Sequence, residues 1–233
     1  MAKTRAKGTV NRYLALLRHL YNRAIKKGYK GTNPVSAVEL FKEQNHRIEW
    51  IDLEDEQKLF QQIPEPYKSF CQIARYTGCR RSELLSARWD QVDREAGILV
   101  LPTSKNGEPR IIQLSSLVRR VLERLPRRID DLRIFPHCGN VTHRFPEWVK
   151  AAGLSGAITL HTLRHSFASR LVMAGVDLLT VQEIGGWKGL TMVRRYAHLA
   201  PTHRREAVEA LARGERMQRS GASSGTDSQA DEL

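Results

Sequence analysis

The sequence predicts a mainly α fold with one small antiparallel β-sheet, in the α+β class. Three observations carry this. Apolar residues recur at helical spacing, as in Val10, Tyr13, Leu14, Leu17, Leu20, Tyr21, Ala24 and Ile25. Gly, Pro and short capping side chains fall at the ends of such stripes. Only two short runs, residues 97–102 (GILVLP) and 110–114 (RIIQL), read as strands, and they flank the turn signal Asn106-Gly107.

Thr9 is placed to cap a first helix over residues 10–27, with Lys26 and Lys27 at its negative end and Gly28 as its stop. Asn33-Pro34 marks a turn. The polar stretch 42–49 (KEQNHRIE) reads as a linker. Asp52 or Asp55 starts a helix to about residue 63, and another runs over about 66–76 and stops at Gly78. A further helix begins near Arg81. Beyond the hairpin, helices are expected over 117–125, 145–152, 162–174, from the cap Asp177 to about 184, and from the cap Thr191 to about 199. In the helix over 162–174, Leu163, Phe167 and Leu171 share a face. Pro201 suits the first position of a last helix ending near Ala212, with Val208 and Leu211 on its apolar side. Residues 217–233 are polar and expected to be disordered.

The 233 residues carry 38 Lys and Arg against 25 Asp and Glu, a formal charge of +13. The excess is concentrated: residues 1–50 hold 11 basic and 3 acidic side chains, and residues 101–150 hold 10 and 5. Basic segments of this kind point to a polyanionic partner, most simply nucleic acid. No apolar run approaches the length of a membrane span, and the N-terminus shows no secretory h-region. Cys71, Cys79 and Cys138 lack metal-ligand spacing, so a reducing cytoplasm is expected rather than a disulfide scaffold.

Four segments stand out. They are residues 77–84 (TGCRRSEL), 103–107 (TSKNG) at the hairpin tip, 161–168 (HTLRHSFA), and Gly185-Gly186-Trp187-Lys188 followed by Tyr196. Taken singly, each side chain has an ordinary explanation. Arg80 could be a solvated helix-start residue, Lys105 a turn residue, and His161 a helix cap. Trp187 could be core, as could Tyr196 in the stripe Met192, Val193, Tyr196, Leu199. In this order and at this spacing, however, the set resembles the tyrosine recombinases, the phage-integrase family, over about residues 10–212.

The chemistry of such a site can be stated on its own terms. A phosphodiester is anionic, and in-line displacement adds charge to its oxygens, so preorganised cationic donors are needed. Guanidiniums meet those oxygens in bidentate fashion and stay charged, which makes Arg80 and Arg164 the candidates. A tyrosine hydroxyl, here Tyr196, can attack to give a covalent phosphotyrosine that conserves the bond energy for religation.

The resemblance implies the other roles. Lys105 is the general acid for the leaving 5′-oxygen and His161 assists proton transfer. Trp187 stands where many members have His and is expected to position. Glu83 orients Arg80 from the same helical face, and His165 is structural beside Arg164. No metal or cofactor is implied.

The implied architecture is a tyrosine-recombinase catalytic domain (46–212), preceded by a truncated helical core-binding domain (1–45) and followed by a disordered tail (213–233). Leu14, Leu17, Tyr21 and Ile25 are expected to lack partners. The implied activity is site-specific DNA recombination, in integration or excision of a mobile element. The implied partner is double-stranded DNA, bound as a homotetramer on two sites with accessory DNA-bending proteins. A type IB-like topoisomerase and a catalytically silent or weakened DNA-binding remnant are the alternatives.

Overall fold

The computed structural model describes residues 6–42, 50–102 and 109–200. The chain forms two compact units, Met1–Arg47 and Ile48–Leu233.

The first unit is built on α1 (Lys7–Lys26). It starts a turn earlier than expected. Nothing in Lys7-Gly8 stops a helix, and the Ala6 carbonyl accepts the N–H groups of Thr9 and Val10, so Thr9 lies inside the first turn instead of capping it. Gly28 ends the helix at φ 98°, where a side chain would be strained. The returning segment is held along α1 by polar side chains. The Asn11 amide donates to the Phe41 carbonyl and accepts from its N–H, at 2.8 and 2.9 Å. Arg18 donates to the carbonyls of Val35 and Val38, and Asn33 donates to the Arg18 carbonyl and the Asn22 side chain. Apolar burial is sparse. Val10 and Val35 are buried, whereas Leu16, Leu17, Leu20 and Ile25 are exposed.

The second unit begins with α2 (Leu53–Gln62), capped by Asp52, whose carboxylate accepts the Asp55 N–H. Next comes α3 (Tyr67–Thr77), which ends at Gly78 in the left-handed conformation. A Cβ on Gly78 would fall 2.4 Å from the Phe167 ring, so glycine is required there twice over. The short α4 (Arg81–Ser86) follows directly.

The sheet has three antiparallel strands in the order β1 (Val92–Asp93), β2 (Ile98–Leu101), β3 (Arg110–Gln113). Leu99 pairs with Ile112 and Leu101 with Arg110. Leu99, Leu101 and Ile112 face the core. β1 was not expected, because two residues give no alternation to read. The Asn106-Gly107 turn lies outside the described residues.

α5 (Ser116–Arg124) is capped by Ser115. α6 (Val141–Ala151) starts a turn before the expected boundary and carries Pro146 in its interior. The ring removes one helical hydrogen bond. Burial of Val141, Phe145, Trp148 and Val149, spaced along one face, outweighs that loss.

α7 (Leu160–Met173) is the centre of the unit. Leu163 belongs to the main core with α2, α3, α5, α6 and the sheet, while Ala168 and Val172 belong to a second cluster with Val181, Trp187, Val193 and Tyr196. Ser166 Oγ accepts the Ile51 N–H, and Glu56 forms ion pairs with both Arg75 and Arg170, which tie α2 and α3 to α7.

α8 (Leu178–Gly185) is capped by Asp177 and closed by Gly186 at φ 64°. The expected helix from Thr191 to about 199 divides into α9 (Leu190–Val193), capped at Gly189, and a 3-10 segment, Arg194–Leu199. In 3-10 winding, residues three apart eclipse. Val193, Tyr196 and Leu199, three residues apart, all face the second cluster. The last helix and the tail expected after Pro201 lie outside the described residues. No helix among the described residues is long and apolar enough to cross a membrane.

Candidate active site

The junction of α3 and α4 presents Arg80. Its backbone N–H donates to Glu83 Oε2 at 2.7 Å and its Nη1 to Glu83 Oε1 at 2.6 Å, so one carboxylate fixes both ends of the residue. Its Nη2 donates to the Gly186 carbonyl at 2.8 Å. Arg164, one turn into α7, is buried and donates through Nη2 to the Gly185 carbonyl at 2.7 Å and through Nη1 to the Gly78 carbonyl. Two guanidiniums from distant segments thus converge on consecutive carbonyls of one glycine turn. A guanidinium has more donors than these bonds consume.

Trp187 leaves that turn and lies under Arg164, with the guanidinium carbon 4.0 Å from the ring centroid. This is a cation–π contact in a largely desolvated place. A Cβ on Gly185 would fall 1.6 Å from the indole, so the ring packs directly on glycine backbone. The Tyr196 ring meets Trp187 at 6.2 Å between centroids. Tyr196 is completely enclosed, and its hydroxyl lies 2.5 Å from His165 Nδ1. The His161 and His165 rings stand edge to face at 4.7 Å. A cavity of about 220 Å³ opens beside His161 and Arg164, walled by Phe70, Ala74, Cys79 and Thr142.

The electrostatics follow from burial among cations. Burial, reinforced by the charges of Arg80 and Arg110, lowers Arg164 to about 10, which leaves it charged at neutral pH. Burial works against ionisation of Glu83, yet Arg110 and Arg80 hold its carboxyl below the usual range. Burial pushes the Tyr196 phenol up to about 12 against the pull of Arg195 and Arg164, so it is protonated. Burial and the nearby arginines lower His161, and burial with His161 and the arginines lowers His165 to about 4. Both imidazoles are neutral at pH 7, and a neutral His165 Nδ1 can accept the phenol proton in a hydrogen bond.

This has a consequence for stability. The unfolded chain takes up protons on these histidines near the ordinary imidazole value of 6.5, whereas folded His165 does so only near 4. Unfolding is therefore favoured as pH falls through that window, and the full contribution is present above it. Taking the protein from pH 7 to pH 5 is expected to cost on the order of 1 kcal/mol of stability, and His165→Asn to flatten the slope. Denaturant titrations at the two pH values check this; identical slopes for wild type and variant would refute it.

Of the nominated residues, the structure brings together Arg80, Glu83, His161, Arg164, His165, Trp187 and Tyr196. Lys105 lies outside the described residues. His165, expected beside Arg164, has the Tyr196 hydroxyl as its partner. Arg110 was missed. It is buried, and donates through Nη1 to Glu83 Oε2 at 2.5 Å and through Nη2 to the Ile184 carbonyl at 2.9 Å. A signal for it exists: strand alternation puts Arg110 on the same inward face as Ile112, and a cation there needs a partner. Among the described residues, no group of three or more His, Cys, Asp or Glu is placed to hold a metal ion.

A helical unit that gathers paired guanidiniums, two neutral imidazoles and a tyrosine around one turn defines a site suited to an anionic phosphoryl group. The model of the Phage integrase family matches residues 49–203, and the chain belongs to that family. It is 29% identical to the integrase of Salmonella phage P22 over 222 residues, 86% of this chain and 56% of that protein. It is 28% identical to a tyrosine recombinase XerD of Listeria monocytogenes, covering 82% of this chain and 71% of the relative. The chain therefore spans little more than half the length of the phage integrase. Among solved structures, it resembles the Tn1549 transposon integrase in complex with circular intermediate DNA, at a TM-score of 0.71 and 21% identity over 89% of this chain and 80% of the other. It also resembles a lambda integrase dimer bound to a COC' core site, at 0.68 and 23% over 82% and 59%. These structural likenesses concern the fold.

Proposed function

We propose that the protein is a site-specific DNA recombinase, acting in integration or excision of a mobile element. The observation that carries this is the convergence of Arg80 and Arg164 on the Gly185–Gly186 turn, with His161, Trp187 and Tyr196 gathered beside them, in a chain of the phage integrase family. Tyr196 Oη attacks the scissile phosphorus while the bond to the 5′-oxygen breaks. The products are a 3′-phosphotyrosyl bond and a free 5′-hydroxyl. Lys105 supplies the proton to the leaving oxygen, and His161 assists removal of the phenol proton. Attack by a 5′-hydroxyl of a second strand reverses these bond changes and rejoins DNA. Arg80 and Arg164 exchange carbonyl contacts for the phosphoryl oxygens and stabilise the charge that develops there. Trp187 holds Arg164 and the tyrosine segment in place. The Tyr196 hydroxyl, enclosed on His165, must be uncovered before it can attack.

Residues 46–212 form the catalytic domain in this scheme, residues 1–45 contribute to a helical clamp on DNA, and residues 213–233 form a tail. The working assembly is a cytoplasmic homotetramer on two duplex sites, with accessory DNA-bending proteins.

The test incubates wild type and Tyr196→Phe with duplexes from the sequence flanking its own gene, denatures with SDS, and maps protein-linked 3′ ends. Adducts from the wild type alone support the assignment. Salt-sensitive DNA binding with no adduct from either points instead to a DNA-binding protein without strand cleavage. Relaxation of supercoils by a monomer points to a topoisomerase.

Trp187→His is expected to keep measurable cleavage, because many family members have His at this place. Its melting temperature should fall, since an imidazole leaves space over Gly185. A well-folded but inactive His variant would contradict the positioning role.

A further inference from the structure

Arg110 sits on β3 opposite Leu101, at the end of the β2–β3 pairing. It is a buried cation with no place in the mechanism above. Its contacts nevertheless reach Glu83 and the glycine turn, which both support the guanidiniums. Through Nη1 it holds Glu83, the carboxylate that grips both the side chain and the backbone of Arg80. Through Nη2 it holds Ile184, which leads into the turn whose carbonyls receive Arg164 and Arg80. A Cβ on Gly186 would meet its Nε at 2.5 Å and its Cδ at 2.8 Å, so the side chain lies directly against that turn. Its own Nε is buried without a hydrogen-bond partner. A buried ion pair is a poor way to gain stability, because desolvation offsets its attraction and an apolar side chain of similar volume often does as well. What Arg110 supplies that an apolar side chain cannot is direction: it fixes a carboxylate and a carbonyl at once.

We infer that Arg110 is a positioning residue for the strand-cleavage reaction, holding Glu83 and the Gly185–Gly186 turn so that Arg80 and Arg164 are aimed at the scissile phosphate. This rests on the recombinase assignment of Tyr196, Arg80 and Arg164. Electrostatic stabilisation depends on donors that are already in place, and misplacement by about 1 Å can cost about 100-fold.

The test compares wild type with Arg110→Met, Arg110→Lys and Glu83→Gln on one mapped cleavage duplex made in two forms. One carries the ordinary phosphodiester. The other carries a methylphosphonate at the scissile position, where a methyl group replaces a non-bridging oxygen. That centre is uncharged, so its displacement has less need of aimed guanidiniums. Arg110→Met is expected to slow adduct formation on the phosphodiester by about 10- to 100-fold, and on the methylphosphonate by less than about threefold. Arg110→Lys, which keeps the charge in the same space, should fall between Met and wild type. Glu83→Gln should show the same preference for the neutral substrate, through a different side chain. DNA affinity should be unchanged in all of them.

Equal slowing on both substrates would reduce Arg110 to a structural role and overturn the inference. So would an undiminished rate on the phosphodiester for Arg110→Met or, should that variant not fold, for both Arg110→Lys and Glu83→Gln. Adducts from wild type with such results remove this inference alone; no adduct from wild type on either substrate removes the recombinase assignment with it.

Discussion

Tyr196→Phe is expected to abolish the SDS-resistant protein–DNA adduct and to leave DNA affinity nearly unchanged. The substitution deletes one oxygen. It takes away the proposed nucleophile, and there is no second hydroxyl in contact with His165 to replace it among the interactions described. The ring keeps its enclosure in the second cluster and its contact with Trp187, so the surface offered to DNA is the same. The lost hydrogen bond to His165 costs about 1 kcal/mol, the usual scale for a neutral pair. Circular dichroism and a melting curve establish that the variant is folded, and a binding titration across salt establishes that it holds DNA. An adduct yield equal to wild type would exclude Tyr196 as the nucleophile.

Arg80→Ala and Arg164→Ala are each expected to slow cleavage by at least about 100-fold, the scale on which a preorganised charge stabiliser acts. Their effects on stability should differ. Arg80 is partly open to solvent, and its removal releases Glu83 to Arg110, which already holds it. Arg164 is buried, and its removal leaves the carbonyls of Gly78 and Gly185 without these donors and uncovers the indole face of Trp187. A destabilisation of about 3 kcal/mol is expected there, from buried acceptors left unsatisfied. Single-turnover cleavage rates, measured below the melting transition of each variant, separate the two effects. A loss below about threefold in either rate would remove that arginine from the phosphate clamp.

The candidate site was legible because its chemistry resides in short local motifs. Arg80 with Glu83, and His161 with Arg164, are held at fixed spacings by single helical turns, and such spacing survives without knowledge of the tertiary fold. Partnerships across segments were not legible. Nothing in residues 161–168 says that His165 will meet a hydroxyl 31 positions later, and only the tertiary fold puts Arg110 against Glu83. The helices read well where one apolar stripe faces one core. In α7 the helix was legible, but its Leu163 stripe hides a second buried face at Ala168 and Val172. The helix expected over 145–152 starts four residues earlier, because local propensity cannot weigh the burial of Val141 and its neighbours. The stripe of Val193, Tyr196 and Leu199 was legible, but the 3-10 winding of residues 194–199 was not, because three-residue spacing suits either helix.

The uneven anchoring of the site sets the order in which it comes apart. His161, Arg164 and His165 ride on α7, which both clusters grip, so exposing their amides to exchange requires both clusters to open. Tyr196 is held by the smaller cluster alone, through a four-residue helix and a tightened turn. Under mild heat or denaturant the tyrosine segment is expected to melt first, while α7 with its histidines and Arg164 stays folded. On the proposed recombinase assignment, cleavage is expected to be lost before DNA binding, so that inactivation runs ahead of global unfolding.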